Sequence, residues 1–219
     1  MFSINLNIIM KFAIIMPTTF NIDVNSQLYQ TNNLTINNIR EMQYIEGIQK
    51  IYDLNKNKNI DFYIFDNSKS YDSEKITINN NIEVIKNCPN NYGGYNKGSG
   101  IIEMWNFNKD IIKKYDWIIH FEPRQLLENN NFINDVIANP RNLFTIGTER
   151  NHFNTGLFSI ESKKLIQFIN ECPPQLLVDY KLGIEYALYQ FFINNKISYD
   201  TREKMELIWF PTNEHPRYM

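Results

Sequence analysis

The chain has 219 residues, 43% of them hydrophobic and 14% aromatic, with a formal net charge of −2 and a pI near 6.0. That length supports one sizeable α/β domain or two small ones, with a packed core within reach. The charge excludes the global basic balance of a nucleic-acid binder, so phosphate recognition, where present, has to be local.

Two cysteines, Cys88 and Cys172, are too few for a disulfide framework or a zinc site of their own. They point to a reducing compartment and a cytoplasmic location. No apolar run reaches the length of a membrane span. The apolar segment from Met1 to Met16 lacks the basic region and small-residue cleavage site of a signal peptide.

Lys11 to Met16 is a short continuous apolar run, which suits a central parallel strand. Pro17 cannot donate to a sheet ladder and is expected at the strand's end. Thr18, Thr19 and Asn21 then fall beyond a carboxyl end, where open α/β sheets bind ligands; an ordinary turn would look the same. Ile36, Ile39, Ile45, Ile48 and Ile51 or Tyr52 give the spacing of an amphipathic helix, with Thr35 as its N-cap and a scaffold role. A second buried strand, Phe62 to Phe65, runs into Asp66-Asn67-Ser68. Its carboxylate can accept from a base or ribose, or form an Asx turn.

A third strand lies within Ile76 to Ile85. The stretch Cys88-Pro-Asn-Asn-Tyr-Gly-Gly-Tyr-Asn-Lys-Gly-Ser-Gly100 follows, and a helix is expected from Gly100 to Phe107. Glycines there allow positive φ or close approach of a ligand, and a helix start preceded by Lys97 suits a phosphate. A surface loop of ordinary turn residues fits the same letters. A helical turn is expected over Lys109 to Lys114, capped by Asn108.

A fourth strand, Trp117 to Phe121, empties into Glu122-Pro123-Arg124. If both charges are partly buried they pair or meet a ligand. A short helix over Asn129 to Ala138 and strands over Leu143 to Gly147 and Thr155 to Ile160 come next. A helix capped by Ser162 runs to Glu171. Pro173-Pro174 then breaks the chain before a long helix, Val178 to Asn194, with Glu185 near its start. A last strand is expected at Lys196 to Tyr199, and the polar tail from residue 200 to 219 is expected to fold back towards the site. His120, His152 and His215 show no metal-ligand spacing, and His120 is expected in the core. The order predicts a single α/β domain with a mostly parallel sheet flanked by helices, its core spanning about residues 11–199.

These segments, in this order, resemble a GT-A glycosyltransferase of the family 2 type, a group that includes rhamnosyl- and related transferases. The residues that carry the resemblance are Pro17-Thr18-Thr19-Phe20-Asn21, Phe65-Asp66-Asn67-Ser68, Asn91-Tyr92-Gly93-Gly94 with Lys97 and Gly100, Glu122-Pro123-Arg124, Asn154-Thr155-Gly156 and Glu185. The resemblance implies transfer of a sugar from a nucleoside diphosphate sugar of UDP, GDP or dTDP type to a glycan or other hydroxyl acceptor, with inversion. It implies that Pro17, Thr18, Thr19, Asp66, Asn67 and Lys97 hold the nucleotide. Glu122 and Arg124 then meet the pyrophosphate, His152, Asn154 and Gly156 face sugar or acceptor, and Glu185 is the general base.

Such enzymes hold Mg²⁺ or Mn²⁺ with Asp-x-Asp. Here Arg124 stands at the second Asp and leaves Glu122 as the one candidate ligand, so weak metal dependence is expected, with Arg124 doing the metal's electrostatic work. Two other readings compete: a nucleotidyltransferase, which would need two metal-binding carboxylates, and a degenerate module that binds sugar or protein without transfer.

Overall fold

The computed structural model describes residues 10–20, 34–68, 81–147, 151–209 and 217–218. Its central sheet has seven strands in the order β3-β2-β1-β4-β7-β6-β8. These are β1 (Phe12–Thr18), β2 (Ile60–Asp66), β3 (Ile82–Ile85), β4 (Trp117–Phe121), β6 (Leu143–Ile146), β7 (Phe153–Glu161) and β8 (Asp200–Arg202). The pairs β3–β2, β2–β1, β1–β4 and β6–β8 are parallel, and β7 runs antiparallel between β4 and β6. The mostly parallel α/β architecture is therefore as expected. The apolar run of β1 is continuous because both sheet faces are covered. Ala13 and Ile15 pack with Trp105, Phe158, Leu188 and Phe192 on one face, while Phe12, Ile14 and Met16 pack with Ile48, Ile51, Phe132 and Leu127 on the other.

The first face carries α2 (Lys97–Phe107), α3 (Lys109–Ile112), α5 (Ser162–Glu171), α6 (Pro174–Asp179) and α7 (Ile184–Asn194); the second carries α1 (Leu34–Asn55) and α4 (Asn131–Ala138). A second, three-stranded sheet has the order β10-β9-β5, built from β5 (Gln125–Leu127), β9 (Leu207–Trp209) and β10 (Arg217–Tyr218). Gln125 pairs with Trp209, so the C-terminal segment is strand-paired to the residues that directly follow Arg124.

Several expected boundaries move. Strand β1 runs through Pro17 to Thr18, because only β2 pairs with it there and β4 pairs no further than Ile15. Helix α1 starts at Leu34, which puts Thr35 inside it, and Ile39 is 48% exposed rather than core-facing. Helix α2 starts at Lys97, three residues before Gly100, with Asn96 as N-cap. Of the third strand's expected range, residues 76–80 lie outside the described residues, as do Asn21 and His215.

The expected long helix over Val178 to Asn194 is two helices, and the break has a cause. Lys181 takes a left-handed φ of 53°, and the Leu182 N–H bonds the carbonyl of Leu177 at 3.0 Å. That is a Schellman-type stop, and it ends α6. The same device recurs at Lys196, with φ 52° and the Ile197 N–H on the Phe192 carbonyl at 3.0 Å. Residues expected to open the last strand therefore close α7, and β8 begins only at Asp200.

Candidate active site

Parallel pairing brings the carboxyl ends of β1, β2 and β4 to one edge of the sheet. Antiparallel β7 brings its early residues to the same edge, with Leu157 opposite Phe121. The site residues read from the sequence converge there from separate elements.

At the ends of β1 and β2, the Thr18 hydroxyl donates to Asp66 Oδ1 at 2.8 Å, and the Thr19 hydroxyl donates to Asn67 Oδ1 at 2.7 Å. Asp66 also accepts from the Ser68 N–H at 3.2 Å and the Ser68 hydroxyl at 2.9 Å. The Asx turn and the tie to Thr18 therefore coexist. Asp66 is 4% exposed. Burial pushes its carboxyl upward, and the bonds from Thr18 and Ser68 offset part of that.

The sequence reading missed what holds this turn from the other side. Arg40, on the helix assigned to scaffold, donates Nε–H to the Thr19 carbonyl at 3.0 Å and Nη2–H to the Tyr44 hydroxyl at 3.1 Å. The Thr19 N–H in turn donates to that hydroxyl at 3.3 Å. A lone Arg at 4% exposure on a helix face is visible only once burial is known.

The glycine-rich stretch behaves differently from a phosphate cradle. The Asn91 and Tyr92 N–H groups donate to the Glu103 carboxylate at 3.1 and 2.8 Å, and Asn91 Nδ2 adds a bond at 2.9 Å. The anion served by these donors is the chain's own. Glu103 is the one charge in the run Ile101-Ile102-Glu103-Met104-Trp105, a signal that could have found it. No described glycine has a positive φ. Gly98 permits contact instead: a Cβ there would sit 2.7 Å from Ile184 Cβ, where α2 meets α7. The start of α2 is capped by Asn96, whose Oδ1 accepts from the Ser99 N–H at 3.1 Å and whose Nδ2 donates to the carbonyls of Leu177 and Leu182 at 3.2 and 2.9 Å.

Lys97, on the first turn of α2, makes an ion pair with Glu122 Oε1. The same oxygen accepts from Arg124 Nη2 at 3.3 Å. Burial alone would push the Glu122 carboxyl up, but Lys97 and Arg124 together outweigh it and hold it well below the usual carboxylate range. The Glu122 N–H donates to the Gly156 carbonyl at 2.8 Å, which locks the end of β4 to β7. Beside this pair His120 stacks on Phe158 at 4.7 Å and meets Trp105 edge-on at 5.3 Å. Burial pushes its imidazole down to about 3, so it is neutral near pH 7.

On β7, Asn154 Oδ1 accepts from the Gly156 N–H at 3.0 Å, and the Thr155 hydroxyl donates to Glu185 Oε1 at 3.1 Å. Glu185 lies in the first turn of α7 behind its N-cap Gly183, where the helix dipole favours a carboxylate. His152 sits 5.3 Å from the Tyr186 ring, centroid to centroid, beside Glu185 on that turn. A cavity of about 440 Å³ lined by Met10, Phe12, Lys58 and Asn134 lies at the opposite edge of the sheet, away from all of these groups.

The divalent cation implied by the resemblance would find Glu122 as its one carboxylate here. Mg²⁺ is usually bound through one or two carboxylates, with water and substrate phosphates completing its shell. Here one carboxylate is flanked by two cations, and no group of three Asp, Glu, His or Cys side chains among the described residues is placed to hold a metal ion. Among the described residues no helix is long and apolar enough to cross a membrane.

No family model matches the chain, and no curated protein matches it by sequence. Solved structures do match its fold. A protein from Desulfovibrio desulfuricans described as a nucleotide-diphospho-sugar transferase superposes with a TM-score of 0.55 at 8% identity, over 87% of this chain and 79% of that one. The glycosyltransferase GlyE of Streptococcus pneumoniae superposes with a TM-score of 0.50 at 14% identity, over 89% of this chain and 45% of that one. At such identities the likeness is one of fold, and the fold is GT-A-like.

Proposed function

We propose that the protein is a glycosyltransferase that moves a sugar from a nucleoside diphosphate sugar to an acceptor hydroxyl, with inversion and without a divalent cation. The observation that carries the reading is the meeting of Lys97 and Arg124 at the carboxyl end of β4, between the Thr18–Asp66 turn and Glu185. Fold alone would not license it.

In this reading the Pro17-Thr18-Thr19 turn, with Asp66 and Asn67 tied to it, shapes the nucleoside pocket. Lys97 and Arg124 take the pyrophosphate. The acceptor oxygen attacks the anomeric carbon while the bond from that carbon to the β-phosphate oxygen breaks. The electron pair stays on the leaving phosphate, where the two cations stabilise it, doing the work a metal does elsewhere. The acceptor proton passes to the Glu185 carboxylate. His152, Asn154 and Gly156 line the side from which sugar and acceptor come. A glycan or surface polysaccharide acceptor, and a deoxyhexose such as rhamnose as the sugar, follow the family 2 resemblance.

A thermal-shift panel of UDP, GDP, dTDP and CDP, with and without Mn²⁺, tests the reading, because a ligand that binds the native state raises its melting temperature. One nucleotide should raise it equally with and without Mn²⁺. A shift that needs Mn²⁺ overturns the metal-free part. No shift with any of them favours a module that binds sugar or protein without transfer.

A further inference from the structure

Two cations that differ in exposure share one oxygen. The Lys97 side chain is 46% exposed and reaches in from the surface, whereas those of Arg124 and Glu122 are 11% and 13% exposed. Both cations contact Glu122 Oε1. Glu103, the buried carboxylate of the same helix as Lys97, is committed to the N–H groups of Asn91 and Tyr92. A pyrophosphate that meets both Lys97 and Arg124 competes with the Glu122 carboxylate between them for the donors it holds.

We infer that Glu122 is a built-in competitor for the pyrophosphate rather than a ligand to it: a tethered anion that holds Lys97 and Arg124, must be displaced by the incoming diphosphate, and returns to help expel the product. The inference rests on the proposed transferase reading and deepens it by naming what sets the charge threshold of that site.

Glu122 carries one negative charge and is held in place by the chain, so it acts at high effective concentration. An incoming carboxylate or other monoanion offers the cations nothing that Glu122 does not already supply. A diphosphate offers a charge to each cation at once, bidentately to Arg124, and can win. The site therefore selects for a ligand with at least two charges spaced to meet both cations. Transfer leaves the departing nucleoside diphosphate more anionic than the donor, because the bonding electron pair stays on its terminal oxygen. The returning carboxylate weakens the hold on donor and product alike, and so shortens the stay of the more anionic product.

The test compares the unaltered protein with Glu122→Gln and Glu122→Asp by calorimetric titration of inorganic pyrophosphate, inorganic phosphate and the four nucleoside diphosphates. Gln keeps the shape and removes the charge, and Asp keeps the charge with a shorter reach. Glu122→Gln should bind pyrophosphate about tenfold more tightly, the worth of one charge-assisted hydrogen bond that no longer has to be broken. It should also lose discrimination against phosphate. Glu122→Asp should lie between the two, which keeps the test alive if the Gln variant does not fold.

Pyrophosphate binding that is weaker in the variants, or unchanged, overturns the inference whatever the nucleotides do. Tighter pyrophosphate binding with no nucleoside diphosphate bound by any of the proteins leaves the exchange standing and removes the transferase reading. Nucleoside diphosphates bound equally by all of them leave the transferase and remove the exchange. No binding by any of them overturns both.

Discussion

The guanidinium of Arg40 donates from Nε to the carbonyl of Thr19 at 3.0 Å, joining a helix to the end of the first strand across 21 positions of sequence. Tyr44, one turn further along α1, accepts from both the Thr19 N–H and Arg40. The two backbone groups of Thr19 are thus fixed by one helix, while its hydroxyl is fixed by Asn67. Arg40→Met keeps the stem and removes the donors, leaving the Thr19 carbonyl and the Tyr44 hydroxyl short of a charged partner. A loss of about 2–3 kcal/mol in urea unfolding is expected. Tyr44→Phe removes the acceptor of both the Thr19 N–H and the Arg40 guanidinium, and a loss of about 1–3 kcal/mol is expected. Both should weaken nucleoside diphosphate binding more than pyrophosphate binding if the turn shapes the nucleoside pocket.

Gly47 lies in the middle of α1, where alanine would ordinarily stabilise a helix by about 1 kcal/mol. Here the sign reverses. A Cβ on Gly47 would sit 1.9 Å from the Pro123 carbonyl oxygen and 2.7 Å from that of Gln125. Both contacts are backbone, so α1 has to move off the turn that carries Glu122 and Arg124. Gly47→Ala should destabilise by about 1–3 kcal/mol, the usual cost of overpacking, and should weaken pyrophosphate binding as well. A stabilised or unchanged protein in urea unfolding would refute the contact.

How far these features were legible depends on whether they are local. The parallel sheet was readable because β1, β2 and β4 are apolar runs that each end in turn chemistry, and that pattern is written within a few residues. Glu122 and Arg124 stood out as opposite charges two residues apart at such an end. Three things were not readable. The positive φ at Lys181 and Lys196 is carried by lysines, at the position where Gly or Asn usually stands in a helix stop. Strands β5, β9 and β10 are three, three and two residues long, too short for a period to show. Arg40 and Glu103 act through partners many residues away, so their roles exist only once the chain has folded.

Burial holds the His120 imidazole at about 3 against an ordinary value of 6.5. Its Nδ1 is buried and finds no hydrogen-bond partner among the described residues. The sign follows from proton binding. Below pH 6.5 the unfolded chain takes up a proton that the folded protein refuses, so stability falls as pH drops from there towards 3. The slope from this one group approaches about 1.4 kcal/mol per pH unit within that window. Glu122 behaves otherwise: its depressed carboxyl contributes stability that is fully present above the ordinary carboxylate range and is lost only at lower pH. His120→Phe, which can stack on Phe158 and meet Trp105 edge-on, should therefore flatten the pH dependence of the urea midpoint between pH 6.5 and 5. It should leave stability at pH 7.5 little changed, because no described bond of Nδ1 is broken. An unchanged slope in the variant would place the acid sensitivity elsewhere.

Glu185 is the remaining test of transfer as opposed to binding. Its Oε1 is oriented by the Thr155 hydroxyl at 3.1 Å, and it sits on the first turn of α7 where Gly183 leaves room: a Cβ on Gly183 would come 2.8 Å from Oε2. Neither contact involves Lys97, Glu122 or Arg124. Glu185→Gln keeps the Thr155 bond, since an amide oxygen also accepts, but cannot take a proton from an acceptor hydroxyl. Turnover should drop by about 10²–10⁴-fold while the thermal shift with the preferred nucleoside diphosphate stays as it was. Thr155→Val removes the orienting bond and keeps the base, so it should lower turnover less than Glu185→Gln and leave nucleotide binding alone. If Glu185→Gln retains full turnover, the acceptor proton goes elsewhere and the assignment of Glu185 is wrong. If it loses the nucleotide shift together with turnover, Glu185 supports the pyrophosphate end of the site, and its place beside Thr155 serves structure rather than proton transfer.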